Sequence, residues 1–313
     1  MELFATGFNA WHQLSFETPG HEEEEEPHDL HFFTKVLQGV NIGRPVARLS
    51  YTIVCRDANF RLAGPSPHSN QDLEFLYTSA ETANGEILTI CSPSNEQTGN
   101  VLVQHSSLAS GKPIHDRQSW PCNVPARQIA AFDTGFVILY QDGTVSTLGD
   151  PRFESSLGRD ITPEQPAHIP GPVPDLNDLD DPVRHVTAGG YSVAALTASG
   201  SVYVWGTPSA GTHRRRQAFP SVTGVPNYME VDGDKDVQDI ALGDSHAIAL
   251  TTDGCVHVIG ENNNGQLGLG RDFGERAEQW TKVPFEAGRG FKLVGVAAGP
   301  KSSFIITSSV TDS

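Results

Sequence analysis

Three short stretches of the sequence combine residue types that could react or bind. The first, residues 243–247, reads Gly-Asp-Ser-His-Ala and places a serine directly beside a histidine. A nucleophilic serine requires a strand-to-helix turn and a separately placed acid and base. The same positions in two other repeats, residues 189–193 and 299–303, lack the Ser-His pair. We therefore predict no catalytic residues and expect His246 to be packed and hydrogen-bonded within the fold.

The second stretch, residues 21–31, holds three imidazoles and six carboxylates. Both groups are competent ligands of a divalent cation. Consecutive glutamates, however, repel one another and favour an extended, solvated loop. The five in this stretch are Glu22, Glu23, Glu24, Glu25 and Glu26. We expect an acidic His/Glu loop over residues 17–31 that contacts a basic partner such as a histone tail, and no dedicated metal site.

The third stretch is the one dense basic cluster of the sequence, Arg214, Arg215 and Arg216. Forked guanidinium groups can grip a phosphate or an acidic peptide. Solvated loop charge is an equally good interpretation. With the glutamates, these arginines are our candidate partner-binding residues.

Composition limits the classes of partner. The chain has 313 residues, with 21 Lys and Arg against 38 Asp and Glu, which gives a net charge of −17. So acidic a chain is expected to bind neither nucleic acid nor anionic membranes directly. No apolar run approaches the length of a membrane span, the start of the chain lacks a basic signal-peptide region, and no nucleotide, dinucleotide or zinc-protease fingerprint occurs. We expect no cofactor.

The cysteines indicate a compartment. Cys55, Cys91, Cys122 and Cys255 are too far apart for a CxxC motif. Reduced thiols in an intracellular protein are the simplest interpretation, with nucleus and cytoplasm both open.

An internal repeat positions these stretches. Three segments of 21 residues align without gaps: residues 129–149, 186–206 and 240–260. Each opens with a β-branched residue, passes through a small polar turn and an apolar stretch to a Gly turn, and ends in an alternating strand and a second Gly. Their turn glycines lie 57 and 54 residues apart. Such a period is typical of the blade of a propeller.

Weaker copies extend the series. Residues 46–64 end in the same way but are two residues shorter, and residues 73–90 place Gly85 58 residues before the next turn glycine. Residues 1–14 resemble the closing half of a unit and residues 296–309 the opening half. One unit is therefore expected to be split between the termini, which closes a ring of six recognisable units.

These patterns predict an all-β protein that forms a six-bladed β-propeller. Short strands repeated around a ring leave only protected edges, which prevents aggregation. We expect a single domain over residues 1–313, with inter-blade insertions at residues 150–182 and 207–236. An unrelated β-sandwich is the alternative.

Two motifs carry a family resemblance. Val-Tyr-Val-Trp-Gly at residues 202–206 and Gly-Glu-Asn-Asn-Asn-Gly-Gln-Leu-Gly at residues 260–268 resemble the repeat of the regulator of chromosome condensation family. That family usually forms seven blades, so six units imply a smaller ring or one diverged blade. The order of full and divergent units is also similar to that of a small chromatin-associated member that partners a JmjC-domain demethylase.

The resemblance implies two functions. One is a non-catalytic scaffold that binds a protein in a chromatin-regulating complex; the alternative is a guanine-nucleotide exchange factor for a small GTPase, the activity of the founding member. That member has seven full blades and a basic N-terminal tail. Because this chain shows neither, the sequence favours a monomeric interaction module. A histone-modifying enzyme, a small GTPase and a tubulin-pathway protein are the candidate partners.

Overall fold

The computed structural model describes residues 1–16, 26–66, 72–92, 100–105, 116–208, 217–219, 221–233 and 235–310. The first twelve strands are β1 (Glu2–Gly7), β2 (Leu30–Gln38), β3 (Val46–Ala47), β4 (Thr52–Arg56), β5 (Asn59–Ala63), β6 (Ala80–Glu81), β7 (Ile87–Cys91), β8 (Val101–His105), β9 (Asp116–Pro121), β10 (Ala126–Phe132), β11 (Gly135–Tyr140) and β12 (Val145–Gly149). The later strands are β13 (Gly171–Pro172), β14 (Val183–Gly189), β15 (Ser192–Thr197), β16 (Val202–Gly206), β17 (Asn227–Tyr228), β18 (Val237–Leu242), β19 (His246–Thr251), β20 (Val256–Glu261), β21 (Arg276–Lys282), β22 (Phe291–Gly299) and β23 (Ser302–Ser309). Helices in the described residues include α1 (Leu73–Thr78), α2 (Pro174–Asn177) and a 3-10 helix (Pro151–Ser156).

The described strands form six antiparallel sheets. Their strand orders are β2-β1-β23-β22 in sheet 1, β3-β4-β5 in sheet 2, β6-β7-β8-β9 in sheet 3, β10-β11-β12-β13 in sheet 4, β14-β15-β16-β17 in sheet 5 and β18-β19-β20-β21 in sheet 6. Six consecutive meanders of this kind are the blades of a β-propeller. The predicted fold class and the six predicted units are confirmed.

The chain divides into two compact units. Unit 1 comprises Met1–Tyr77, Arg215–Pro220 and Val231–Ser313, and it contains sheets 1, 2 and 6. Unit 2 comprises Thr78–Arg214 and Ser221–Glu230, and it contains sheets 3, 4 and 5. Among the described residues of each unit, buried apolar side chains form clusters that are shared by neighbouring sheets.

The three gap-free repeats share one strand register. In each, the opening β-branched residue pairs with the residue nine positions later: Ile129 with Ile138, Val186 with Ala195, and Ile240 with Ala249. The second strands, β11, β15 and β19, are buried almost throughout. Burial on both faces explains their nearly continuous apolar sequences. The sequence alignment therefore corresponds to an alignment of blades.

The two ends of the chain meet in sheet 1, as the half-units predict. Strand β1 pairs antiparallel with β23 from Glu2 opposite Thr307 to Gly7 opposite Ser302. Strand β2 pairs with the other edge of β1, and β22 pairs with the other edge of β23. One blade is thus built from both termini.

The short repeat at residues 46–64 has lost residues in one turn. Strands β4 and β5 are joined by Asp57 and Ala58 alone, whose φ angles are 49° and 62°. The equivalent strands β11 and β12 are joined by residues 141–144. Two positive φ angles are typical of the tight hairpin turn whose twist matches the strands. The two missing residues therefore shorten a hairpin and leave the sheet intact.

The register expected for residues 73–90 is wrong. Gly85 lies in the turn between β6 and β7, one turn earlier in the blade than the glycines with which it was aligned. Residues 73–78 form helix α1. An Asn-Gly pair favours positive φ in any turn, so it marks a turn without specifying which turn of the blade.

Outer strands lie inside both long insertions. Residues 150–182 contain the 3-10 helix, β13 and α2, and residues 207–236 contain β17. Leu176 of α2 is buried, and the Asn177 side chain bonds both backbone groups of Val145 at 2.7 and 3.1 Å. This part of the first insertion is therefore fixed to sheet 4.

Candidate protein-interaction surface

Loops from three sheets of unit 1 meet at one edge. In an antiparallel meander, the turn after the first strand and the loop after the third strand lie on the same edge. These loops contact one another: the Phe8 amide donates to Lys301 O at 2.9 Å, and the Gln13 side chain donates to Leu49 O at 3.1 Å. We call this edge the loop surface of unit 1; it comprises residues 8–16, 26–29, 48–51, 243–245, 262–275 and 300–301.

Two loops of this surface have the same hydrogen-bond skeleton. In loop 7–14, the Asn9 carbonyl oxygen Oδ1 accepts from the Leu14 amide, and Gln13 Oε1 accepts from the Trp11 amide, both at 2.9 Å. In loop 260–267, the corresponding bonds run from the Leu267 amide to Asn262 at 3.1 Å and from the Asn264 amide to Gln266 at 2.9 Å. The shared Gly, Asn, Gln and Leu spacing is thus a structural framework.

The glycines that open these loops are required by the backbone. Gly7 and Gly260 have φ angles of +113° and +102°. A Cβ atom at either position would lie 2.3 Å from a carbonyl oxygen, that of Lys301 or of Ser245. Only glycine adopts this backbone next to so close a neighbour.

The two loops differ at the positions between these framework residues. Where loop 260–267 has Asn264 and Gly265, loop 7–14 has Trp11 and His12. The Asn264 side chain donates to Asp29 at 2.8 Å, whereas Trp11 is 51% exposed. His12 has a φ of 55°, close to the 78° of Gly265. A non-glycine residue in the left-handed region is uncommon, and histidine is one of the residues that adopt it most often.

The last residue of the acidic tract lies in the loop surface of unit 1. Glu22, Glu23, Glu24 and Glu25 lie outside the described residues; Glu26 is exposed. The chain after it is fixed by Asp29, whose carboxylate accepts from the Asn9 amide at 3.0 Å and from the Asn264 side chain at 2.8 Å. The described part of the tract is therefore anchored to both related loops.

The residues that follow the basic cluster are held by contacts with strand β21. Arg214, Arg215 and Arg216 lie outside the described residues, and the chain resumes at Gln217. Gln217 O accepts from the guanidinium of Arg276 at 3.1 Å, and Phe219 is buried with its ring 6.2 Å from that of Trp280. Both charged stretches thus have a described neighbour bonded to residues 262–276. The sequence carries no local signal for these contacts of Asp29 and Gln217.

The Ser-His pair belongs to the fold. His246 is fully buried, and its Nε2 lies 3.2 Å from Ser302 O. Burial lowers the pKa of His246 to about 4, because an imidazolium would lose its hydration. Ser245 O accepts from the Glu261 amide at 2.9 Å. The prediction of a packed, hydrogen-bonded histidine is confirmed.

Unit 2 carries a groove between sheets 3 and 4. Its volume is about 370 Å³, and its lining includes Trp120, Cys122 and Tyr140. Burial raises the pKa of the Cys122 thiol and of the Tyr140 hydroxyl above their ordinary values. Both groups are therefore neutral near pH 7, which gives the groove few charged contacts to offer.

Three further observations on the described residues concern the cysteines, metal ligands and membrane-spanning helices. Cys55, Cys91, Cys122 and Cys255 are free thiols. Within the described ranges, no group of three His, Cys, Asp or Glu side chains is arranged to hold a metal ion. No helix in the same ranges is long and apolar enough to cross a membrane.

The repeated meanders and the duplicated loop framework define a repeat protein of the β-propeller class. Two family models, both described as "Regulator of chromosome condensation (RCC1) repeat", match residues 237–266 and residues 253–306. Residues 237–306 of this chain therefore match the RCC1 repeat, in agreement with the motif at residues 260–268.

Curated relatives share these repeats over part of their length. The regulator of chromosome condensation of Mus musculus is 31% identical over 192 residues, which cover 56% of this chain and 42% of the relative. The human probable E3 ubiquitin-protein ligase HERC6 is 29% identical over 180 residues, which cover 58% of this chain and 17% of the relative. The chain spans less than half of either relative.

Solved structures agree in fold. Human WBSCR16 has a TM-score of 0.63 at 14% identity, with 99% of each chain covered. Prp20p from Saccharomyces cerevisiae, reported with its binding properties to Gsp1p and histones, has a TM-score of 0.60 at 13% identity, with 99% of this chain and 92% of that chain covered. Identity at this level establishes the common propeller fold alone.

Proposed function

We propose that this protein is a non-catalytic, intracellular scaffold that binds a protein partner through the loop surface of unit 1. One observation carries the proposal: loops of sheets 1, 2 and 6 are joined there by direct hydrogen bonds, and Asp29, which follows the acidic tract, is bonded to two of these loops. Gln217, which follows the basic cluster, is bonded to Arg276 at the start of β21, next to loop 262–275. A standard interface needs about 800 Å² from each partner, which loops from several sheets can supply together.

The charge of the chain favours a basic partner. Glu22, Glu23, Glu24, Glu25 and Glu26 would attract such a partner to the surface that Asp29 fixes beside them. Arg214, Arg215 and Arg216 would contact an acidic group of the same partner. The net charge of −17 supports binding to protein and opposes direct binding to nucleic acid or membrane. A histone-associated complex in chromatin regulation fits this chemistry and the RCC1 repeats.

Core histones provide the test. Neutralising the tract, Glu22→Gln through Glu26→Gln, should weaken binding about tenfold at physiological salt and reduce its salt dependence. The control neutralises five exposed carboxylates of unit 2: Asp160, Glu164, Asp175, Asp178 and Asp180. It changes the net charge equally and should alter binding less than about twofold. Equal losses in both variants would contradict a localised surface.

A guanine-nucleotide exchange factor is the second candidate. The similarity to Prp20p, whose structure was reported with binding to Gsp1p, favours it. The two functions separate in a nucleotide-release assay with a small GTPase loaded with labelled GDP. A scaffold leaves the release rate unchanged; acceleration at catalytic concentrations of this protein, lost on substitution of one loop, would establish the exchange factor instead.

A further inference from the structure

We propose that Trp11 and Leu49 form the anchor of the partner-binding surface, and that they receive an apolar side chain beside a lysine or arginine of a basic protein segment. This inference rests on the proposed function and adds the contact residues and the chemistry of the segment.

The fold does not require an indole at residue 11. The framework of loop 7–14 uses only the backbone amide of Trp11, which donates to Gln13. The equivalent residue of loop 260–267 is Asn264, whose amide makes the same bond to Gln266. Trp11 is nevertheless 51% exposed. A large aromatic side chain left in water by a loop that folds without it is typical of a binding anchor.

The backbone conformation of His12 is a second observation that favours a binding role for this loop. His12 has a left-handed backbone with a φ of 55°, at a position that is glycine in loop 260–267. This conformation costs a non-glycine residue about 1–2 kcal/mol. Strain of this kind is concentrated at binding and catalytic sites. The loop thus presents Trp11 through a backbone for which glycine would be the relaxed choice.

A second apolar side chain lies on the adjoining loop. Leu49, between β3 and β4, is 51% exposed, and its carbonyl oxygen accepts from the side chain of Gln13. Gln13 is two residues from Trp11 and buried. Trp11 and Leu49 are therefore held on neighbouring loops by a fixed hydrogen bond, and together they offer an aromatic face and an aliphatic side chain.

Charge identifies the occupant. Asp29 is bonded to the Asn9 amide, two residues from Trp11, and Glu26 is exposed at the end of the same segment. Lys301 already lies 5.4 Å from the Phe8 ring centroid, which shows that this surface accommodates an ammonium over an aromatic ring. Because Asp29 and Glu26 lie on the same loop surface as the exposed indole, they favour a lysine or arginine with an apolar neighbour. A second copy of the chain would bring the same charge of −17 and be repelled.

Three synthetic peptides test the inference. The first is a twelve-residue peptide of lysine, leucine and glycine; the second replaces lysine with glutamate, and the third replaces leucine with serine. Calorimetry with the full chain should detect the first, with at least about tenfold weaker binding of the glutamate peptide and about fivefold weaker binding of the serine peptide.

Protein variants locate the contact. Trp11→Ala should weaken binding of the lysine-leucine peptide about fivefold or more, and Leu49→Ala about two- to fivefold. Tyr228→Ala and Val40→Ala are the controls, because these side chains are 56% and 80% exposed and lie outside the loop surface of unit 1. Both controls should bind as the wild type does. All four variants should unfold at the wild-type temperature.

The possible failures are distinguishable. Wild-type affinity in Trp11→Ala, with binding lost when Glu22 through Glu26 are changed to Gln, overturns the anchor and leaves the proposed function standing. Loss in Trp11→Ala without loss in the glutamine variant supports the anchor and removes the tract from the site. If the wild type binds core histones but neither lysine peptide, the anchor is overturned and the proposed function stands; binding of neither the peptides nor core histones overturns both proposals. A dimer in sedimentation that Trp11→Ala dissociates would make this surface a contact between copies.

Discussion

Loops 7–14 and 260–267 fold alike and present different chemistry. Both use a glycine with positive φ, an asparagine, a glutamine and a buried leucine to fix the backbone. One then exposes Trp11, and the other bonds Asn264 to Asp29. The difference separates side chains that build the blade from side chains that are available to a partner. A repeat protein thus contains its own internal control, since one copy shows what the fold alone requires.

The strands beneath the two loops also differ. Gly7 pairs with Ser302 of β23, and Gly260 pairs with His246 of β19. Ser302 carries a hydroxyl, whereas His246 is a buried, neutral imidazole whose Nε2 lies 3.2 Å from Ser302 O. The imidazole therefore links the strands beneath the two loops, and its protonation should weaken the structure under both.

The largest effect is expected from the opening glycines. Gly7→Ala and Gly260→Ala each place a Cβ 2.3 Å from a carbonyl oxygen on a backbone with φ above +100°. We expect each to lower the free energy of unfolding by about 3 kcal/mol or more, measured in urea. The control is Gly288→Ala, because a Cβ there meets no atom within 4 Å. A loss no larger than that of the control would disprove the shared framework.

Acid should weaken the fold through the histidine beneath loop 260–267. The pKa of His246 in the folded protein is about 4, below its ordinary value of 6.5, because burial disfavours the charged ring. The unfolded chain therefore binds a proton first, and the stabilisation is complete above pH 6.5 and declines as pH falls toward 4. Between pH 7 and pH 4.5 the contribution lost is about 2–3 kcal/mol.

His246→Gln isolates this contribution, since other groups titrate in both proteins. The wild type should lose more unfolding free energy on acidification than the variant does, by the amount given above. Identical losses in both proteins would show that His246 keeps an ordinary pKa in the folded state.

A smaller effect is expected from the loop asparagines. Asn9→Ala leaves the Leu14 amide without its acceptor, and Asn262→Ala does the same to the Leu267 amide. A buried donor that loses its partner costs about 1–3 kcal/mol. Chemical unfolding should show similar losses in the two variants. A loss confined to one loop would mean that the common spacing conceals different energetics.

The sequence predicted the architecture because the blades repeat. Residues such as Ile129, Val186 and Ile240 recur in one register. A one-residue shift of an alternating strand would turn its buried side chains to the solvent, so the register is strongly specified. The register failed at Gly85, where the surrounding unit is divergent and an Asn-Gly turn fits more than one hairpin. Helix α1 has no counterpart in the clear repeats, so the alignment carried no information about it.

The proposed interaction surface was predictable only in part. The charge of Glu22–Glu26 and of Arg214–Arg216 is evident in the sequence, but the contacts of Asp29 with Asn264 and of Gln217 with Arg276 join distant parts of the chain. No local pattern encodes such contacts between loops. Trp11 did leave a signal, because aligning loops 7–14 and 260–267 shows an aromatic residue where the framework needs none.

The smallest effect distinguishes the two loops at their left-handed residue. His12→Gly should raise the free energy of unfolding by up to about 1 kcal/mol, because relief of backbone strain exceeds the added flexibility of the unfolded chain. Gly265→Ala should act in the opposite direction, since its Cβ would lie 2.6 Å from Leu30 O. His12→Ala keeps the strained backbone and should stay within about 0.5 kcal/mol of the wild type. If His12→Gly instead destabilised the protein as Gly265→Ala does, the imidazole would belong to the framework, and the strain at this position would no longer support a binding role for the loop.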